Sequence, residues 1–200
     1  MLEVKDATIG VGDKVLAKGL SFIARDGEIT CVTGPQGAGK TTLLRTLTGF
    51  LPVVQGFVSV DGELLTVHSA HAFRQMMVYL PQESRLLTHQ LHEPEAPESE
   101  ADEYAVWNTL LPKVKPERQP VPLSAEELFQ LEKDTLQKAA DRQIVIADEP
   151  AACLTSELGS VLLTLLREQA DAGKTVLIAS RHPLLVAHAD HVIQIGDSSL

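Results

Sequence analysis

Over residues 1–30 the chain sets short apolar runs against turn signals. Leu2-Glu3-Val4, Gly10-Val11-Gly12-Asp13, Leu20-Ser21-Phe22-Ile23 and Asp26-Gly27 follow one another. Residues 53–67 repeat the pattern with Phe57-Val58-Ser59-Val60, Asp61-Gly62 and Leu64-Leu65. Asp-Gly between apolar runs signals a hairpin, because both residues tolerate the positive φ of a tight turn. These two stretches predict a small antiparallel sheet. Elsewhere the period changes. Glu28–Thr33, Ile144–Ala147 and Thr175–Ala179 read as buried strands. Met77-Val78-Tyr79-Leu80, closed by Pro81-Gln82, and His191–Ile195 read as two more. Helical spacing over Thr42–Leu47, Ala125–Ala140 and Glu157–Ala172 fills the gaps, with Gly173 as the C-cap of the last and a helical turn after Arg181-His182-Pro183. Strands alternating with helices predict a largely parallel sheet covered on both faces, hence an α/β fold.

Residues 83–122 break this pattern. Glu93, Glu95, Glu98, Glu100, Asp102 and Glu103 crowd a loop that also holds Pro94 and Pro97, and Pro112, Pro116, Pro120 and Pro122 follow. A charge run of this kind is a solvated loop, with a docking role as the alternative. Tyr104–Leu111 has the spacing of a short helix, with Trp107, Leu110 and Leu111 on one side; Trp107 reads as a local core anchor.

Two hundred residues suffice for one domain with a sizeable core. The net charge of −10 excludes nucleic acid as a main partner, which needs a basic face. The sequence has no apolar run of membrane-spanning length and no basic and apolar leader at its start. Cys31 and Cys153 lie far apart and read as small hydrophobes, so a cytosolic protein is expected. His68 with His71, and His188 with His191, have metal-compatible spacing but lack further ligands nearby and read as surface histidines.

The chemistry is concentrated in Gly34-Pro35-Gln36-Gly37-Ala38-Gly39-Lys40-Thr41-Thr42, which fits G-x-x-x-x-G-K-[ST] between a predicted strand and a predicted helix. Glycines let successive backbone N–H groups turn inward around phosphate oxygens, and the helix adds its positive dipole end. Lys40 reaches the β- and γ-phosphates in this reading, and the Thr41 hydroxyl ligates Mg²⁺. Asp148 and Glu149 close an apolar strand at its C-terminal end, where open α/β sheets place ligands. An Asp there can hold the Mg²⁺ that bridges the phosphates, and the adjacent Glu can deprotonate the attacking water.

With these motifs in place, the chain resembles the ATP-binding-cassette (ABC) ATPases over essentially its whole length. The resemblance rests on LEVKDATIG, GPQGAGKTTLLRTLTG as Walker A, YLPQE as the Q-loop, IVIADEP as Walker B and GKTVLIASRHP. It implies a P-loop NTPase core with an N-terminal antiparallel β part (1–30 and 53–67) and a small helical subdomain (83–140) holding the acidic, Pro-rich loop 92–122, all within one domain, 1–200. It implies two ATP molecules sandwiched between two such subunits, and Gln82 as a metal or water contact that couples the site to a membrane permease. The expected protein is therefore an Mg²⁺-dependent ATPase subunit, held peripherally at the inner face of the membrane through its permease. An impaired regulatory subunit paired with an intact ATPase, and a soluble ABC protein without a permease, are the alternatives.

Four positions depart from the family pattern. Where LSGGQ is usual, the chain has Leu123-Ser124-Ala125-Glu126-Glu127. Two carboxylates there repel a phosphate; alternatively, Ser124-x-x-Glu127 is a capping box that fills the helix N-terminus from within. Both readings predict a signature that contributes little to the opposite ATP. Val11 stands where an aromatic ring stacks on adenine, offering apolar contact without a ring. Thr155 replaces an Asp that speaks across the dimer. The switch histidine aligns with Arg181, one residue before His182, and the sequence leaves both candidates open.

Overall fold

The computed structural model describes residues 1–82, 124–138, 140–152 and 154–196. Its N-terminal part is a four-stranded antiparallel sheet. Strands β1 (Leu2–Val11), β2 (Lys14–Ala24), β4 (Gln55–Val60) and β5 (Glu63–Leu64) lie in the order β2-β1-β4-β5. Alternation sets the faces: Leu2, Val4, Val58 and Val60 point into the core, while Lys5 and Phe57 pair across strands on the outer face. Both β1 pairings slip register around Asp6. Asp6 has a φ of 47°, and a Cβ on the facing Gly56 would lie 2.4 Å from the Asp6 carbonyl oxygen. Only glycine fits there, and the resulting bulge bends the sheet around the core.

The second sheet is parallel and ordered β6-β7-β8-β3-β9, from β3 (Ile29–Thr33), β6 (Met77–Leu80), β7 (Ile144–Asp148), β8 (Thr175–Ala179) and β9 (His191–Gln194). Its three central strands are buried almost throughout, which is why they are apolar at most positions. One face packs on α1 (Lys40–Leu47) through Leu43, Leu44 and Leu47. The other packs on α4 (Ser156–Asp171) through Leu162, Leu166 and Ala170. Each of these leucines is fully buried, so truncation to Ala removes about 2–5 kcal/mol. Short helices α2 (Ala70–Gln75) and α5 (Pro183–Ala187) and the longer α3 (Ala125–Lys138) complete the described elements. Cys31 is buried in β3, and desolvation pushes its thiol up to about 11, as befits an inert core residue.

The expected boundaries shift by one or two residues at element ends. α3 ends at Lys138, two residues short of Ala140. α4 runs one residue earlier than expected at each end, with Ala172 as its C-cap and Gly173 just beyond it at a φ of 88°. The Tyr104–Leu111 helix and the 92–122 loop lie outside the described residues, as do Leu123 and Cys153. No helix among the described residues is long and apolar enough to cross a membrane.

Because the strands are parallel, the ends of β3, β6, β7 and β8 all open on the same edge of the sheet. That edge collects Gly34, Gln82, Asp148, Glu149, Ser180 and Arg181 from segments far apart in sequence.

Candidate functional site

β3 leads through residues 34–39 into α1. Gly39 is the N-cap, in the left-handed region at a φ of 96°; no side chain caps the helix and its first turn has no acid. Its orphan N–H groups are open to an anion. Leu16 of β2 covers the loop from outside: a Cβ on Gly39 would lie 3.1 Å from the Leu16 Cβ. Lys40 is itself buried. Its Nζ turns back and donates to the carbonyl oxygens of Gly34 at 2.9 Å and Pro35 at 3.2 Å.

Opposite the loop, β7 delivers Asp148 and Glu149. Asp148 is 1% exposed. It accepts a hydrogen bond from the Tyr79 hydroxyl on Oδ2 at 3.5 Å and interacts with the Thr41 hydroxyl, while its Oδ1 is buried without a partner. Burial raises its pKa, with Thr41 pulling the other way. Glu149 is held at a φ of 48°, a conformation a non-glycine residue keeps only when its surroundings enforce it. They do so on all sides. Its N–H donates to the Ala179 carbonyl at 2.7 Å, and its Oε2 accepts from Ser180 Oγ and the Arg181 N–H, both at 3.2 Å. Its Oε1 lies 3.6 Å from Lys40 Nζ and 3.5 Å from Arg181 Nε. One carboxylate therefore balances two cations.

Lys40, Glu149 and Arg181 line a cavity of about 270 Å³ with Leu16, Gln36, Gly37, Gly39, Thr41, Thr42 and Gln82. Of the expected residues, the structure brings Lys40, Thr41, Asp148 and Glu149 together, with Gln82 exposed on the cavity wall. Gly34 and Pro35 contribute carbonyls to Lys40, while Ala38 is buried against Gly196 behind the loop. Val11 is 51% exposed and does not line the cavity; Leu16 supplies the apolar contact there. Of the two switch candidates, Arg181 lines the cavity. His182 is not among the lining residues; it is the N-cap of α5, its N–H donating to Ser180 Oγ at 3.0 Å. Sequence reasoning missed Leu16, because nothing in the β2 pattern says that the strand folds back over the loop.

The start of α3 is filled. Glu127 N–H donates to Ser124 Oγ at 3.2 Å, and Ser124 N–H donates to Glu127 Oε2 at 2.9 Å. This is a reciprocal capping box, and the Ser124 N–H, with the Ser124 hydroxyl second, depresses the Glu127 carboxyl below its usual range. Thr155 caps α4 through its side chain, accepting from Leu158 N–H at 3.3 Å. Among the described residues no group of three or more His, Cys, Asp or Glu could hold a metal without help from other donors.

The profile of the ABC transporter family matches residues 17–152, more than half of the chain. The chain belongs to that family. Among curated relatives, this ABC cassette is 29% identical over 215 residues to the ATP-binding/permease protein Rv1747 of Mycobacterium tuberculosis, covering 98% of the chain and 24% of the relative. It is 28% identical over 229 residues to the macrolide export protein MacB of Escherichia coli K12, covering all of the chain and 34% of that protein. The chain thus spans about a quarter to a third of these relatives. The cassette MJ0796, solved as a dimer in a post-hydrolysis state bound to ADP and Pi, superposes with a TM-score of 0.70 at 18% identity, covering 98% of this chain and 95% of that one. That match shows the ABC cassette fold: a P-loop α/β core with an added antiparallel sheet.

Proposed function

We propose that this ABC cassette binds ATP with Mg²⁺ on residues 34–42 and hydrolyses it, as one half of an ATPase dimer that drives a membrane permease from the cytoplasmic face. The observation that carries the reading is the convergence of Lys40, Thr41, Glu149 and Arg181 on one cavity beside an uncapped helix N-terminus, with the buried Asp148 interacting with Thr41. The donor set fits Mg²⁺: a hard cation takes oxygen ligands, Asp148 Oδ1 is a buried carboxylate oxygen without a partner, and the same carboxyl interacts with the Thr41 hydroxyl. Thr41 and Asp148 would hold the ion, with Gln82 on the open side. Bound there, it would offset charge on the β- and γ-phosphates.

The rest follows from this chain's own groups. The terminal phosphate brings anionic oxygens to Lys40 and Arg181 and takes over the role that Glu149 plays toward these two cations. Glu149 is then free to accept a proton from the attacking water. The water oxygen bonds to the γ-phosphorus as the bond to the β-bridging oxygen breaks, leaving ADP and orthophosphate. Arg181, not His182, is the cation on that wall.

A second reading is favoured by the capped α3: an ATP-binding partner subunit whose signature supplies little to the opposite ATP, paired with an intact cassette. Steady-state ATPase activity across protein concentrations separates the two. Turnover that rises with concentration and falls about 100-fold or more in Glu149→Gln supports a working homodimer. Tight ATP binding without turnover supports the regulatory half. Equal rates in wild type, Lys40→Ala and Glu149→Gln would overturn the hydrolytic reading.

A further inference from the structure

Asp148 has two oxygens with different surroundings, and the difference originates in β6. Met77 and Tyr79 of β6 and Ile144, Ile146 and Asp148 of β7 share the sheet face that packs on α1, with Met77 opposite Ile144 and Tyr79 opposite Ile146. Tyr79 is therefore the diagonal neighbour of Asp148 on the same face, within reach of a long aromatic side chain. Its hydroxyl donates to Oδ2 at 3.5 Å. It also interacts with Arg45, which sits four residues after Thr41 and so on the same side of α1. Oδ1 is left buried and unpartnered, on a carboxyl that also interacts with Thr41.

We propose that Tyr79 is a positioning residue that clamps Oδ2 of Asp148 so that Oδ1 is presented, together with Thr41, to the metal of the nucleotide. A carboxylate pivots about its Cβ–Cγ bond, and a donor on one oxygen fixes where the other points. Groups that orient metal ligands in this way typically contribute 10–100-fold to metal affinity. The chemistry calls for a donor that carries no charge of its own. A cation in place of Tyr79 would weaken the carboxylate as a ligand, and a Phe would leave it free to turn. Arg45 interacts with the phenol and acts on Asp148 only through space. Tyr79 is also a wall of a second cavity, of about 430 Å³, shared with Phe50, Met77, Arg74 and Arg142 on the β6 edge of the sheet. One ring thus touches both that cavity and a ligand of the metal.

This inference rests on the proposed use of Thr41 and Asp148 for the metal, and its test keeps the two apart. Mn²⁺ replaces Mg²⁺ as a paramagnetic probe. Its binding to the full chain with saturating ATP is followed by electron paramagnetic resonance for wild type, Tyr79→Phe and Asp148→Asn. ATP binding is measured separately in EDTA. The expected result is Mn²⁺ affinity lowered about 10-fold in Tyr79→Phe, with metal-free ATP affinity unchanged. Equal Mn²⁺ affinity in Tyr79→Phe and wild type, or a parallel loss of metal-free ATP binding, would overturn the role of Tyr79. If wild type and Asp148→Asn bind Mn²⁺ equally, the assignment of Asp148 itself fails.

Discussion

Helices α1 and α3 both begin with backbone N–H groups that the helix cannot satisfy, and they treat them in opposite ways. α1 starts on a left-handed Gly39, with no side-chain cap and no acid in its first turn. α3 starts on Ser124, closes a capping box with Glu127, and carries Glu126 beside it. The first helix keeps its positive end for a ligand, and the second occupies it with its own carboxylate. An open N-terminus is unstable by itself and needs help from packing. Leu43, Leu44 and Leu47, all fully buried, supply that for α1. α3 buries only Leu128, Glu132 and Leu136, so self-capping matters more to it. An open anion-facing end and a self-satisfied end are thus assigned to different helices.

The largest expected effect comes from giving α1 the chemistry of α3. Thr42→Glu places a carboxylate in the first turn of the open helix and should weaken ATP binding on the order of 100-fold by calorimetry. Unchanged affinity would mean that the phosphates do not sit there. The reverse exchange opens α3. Ala125→Gly with Glu126→Gly and Glu127→Gln removes both acids and the box, and should raise ATPase activity about 10-fold at protein concentrations that favour a dimer. If the rate stays flat, the capped helix is not what limits turnover. The smallest effect is one of pH. The folded protein holds Glu127 below its ordinary value of 4.5, so its contribution to stability is complete above that value. It fades as pH falls through the depressed pKa. Urea midpoints of wild type and Glu127→Gln should therefore converge on acidification; a gap that widens would refute the capping account.

Much of this was legible in the residues. The loop, the buried strands and the two acids ending β7 follow from motif and period, and even the capping box could be read from Ser124-x-x-Glu127. What escaped depends on long-range register. That Tyr79 reaches Asp148 follows only once β6 pairs with β7 in parallel, Tyr79 opposite Ile146. That Leu16 covers Gly39 requires β2 to fold back over a loop more than twenty residues away. The choice between Arg181 and His182 turned on a single residue. At the end of β8 the structure sets Arg181 against Glu149 and begins α5 after His182. No local pattern encodes such a turn.

The bridge made by Glu149 has one more consequence, for the company this protein keeps in a cell crowded with small anions. A tethered carboxylate competes for Lys40 and Arg181 at an effective concentration in the millimolar range or above. Orthophosphate or a metabolite acid must displace it with few other contacts to gain. A nucleoside triphosphate brings the whole loop with it and wins. The residue proposed as the base is therefore also a filter, and the Glu149→Gln protein should bind orthophosphate that wild type ignores.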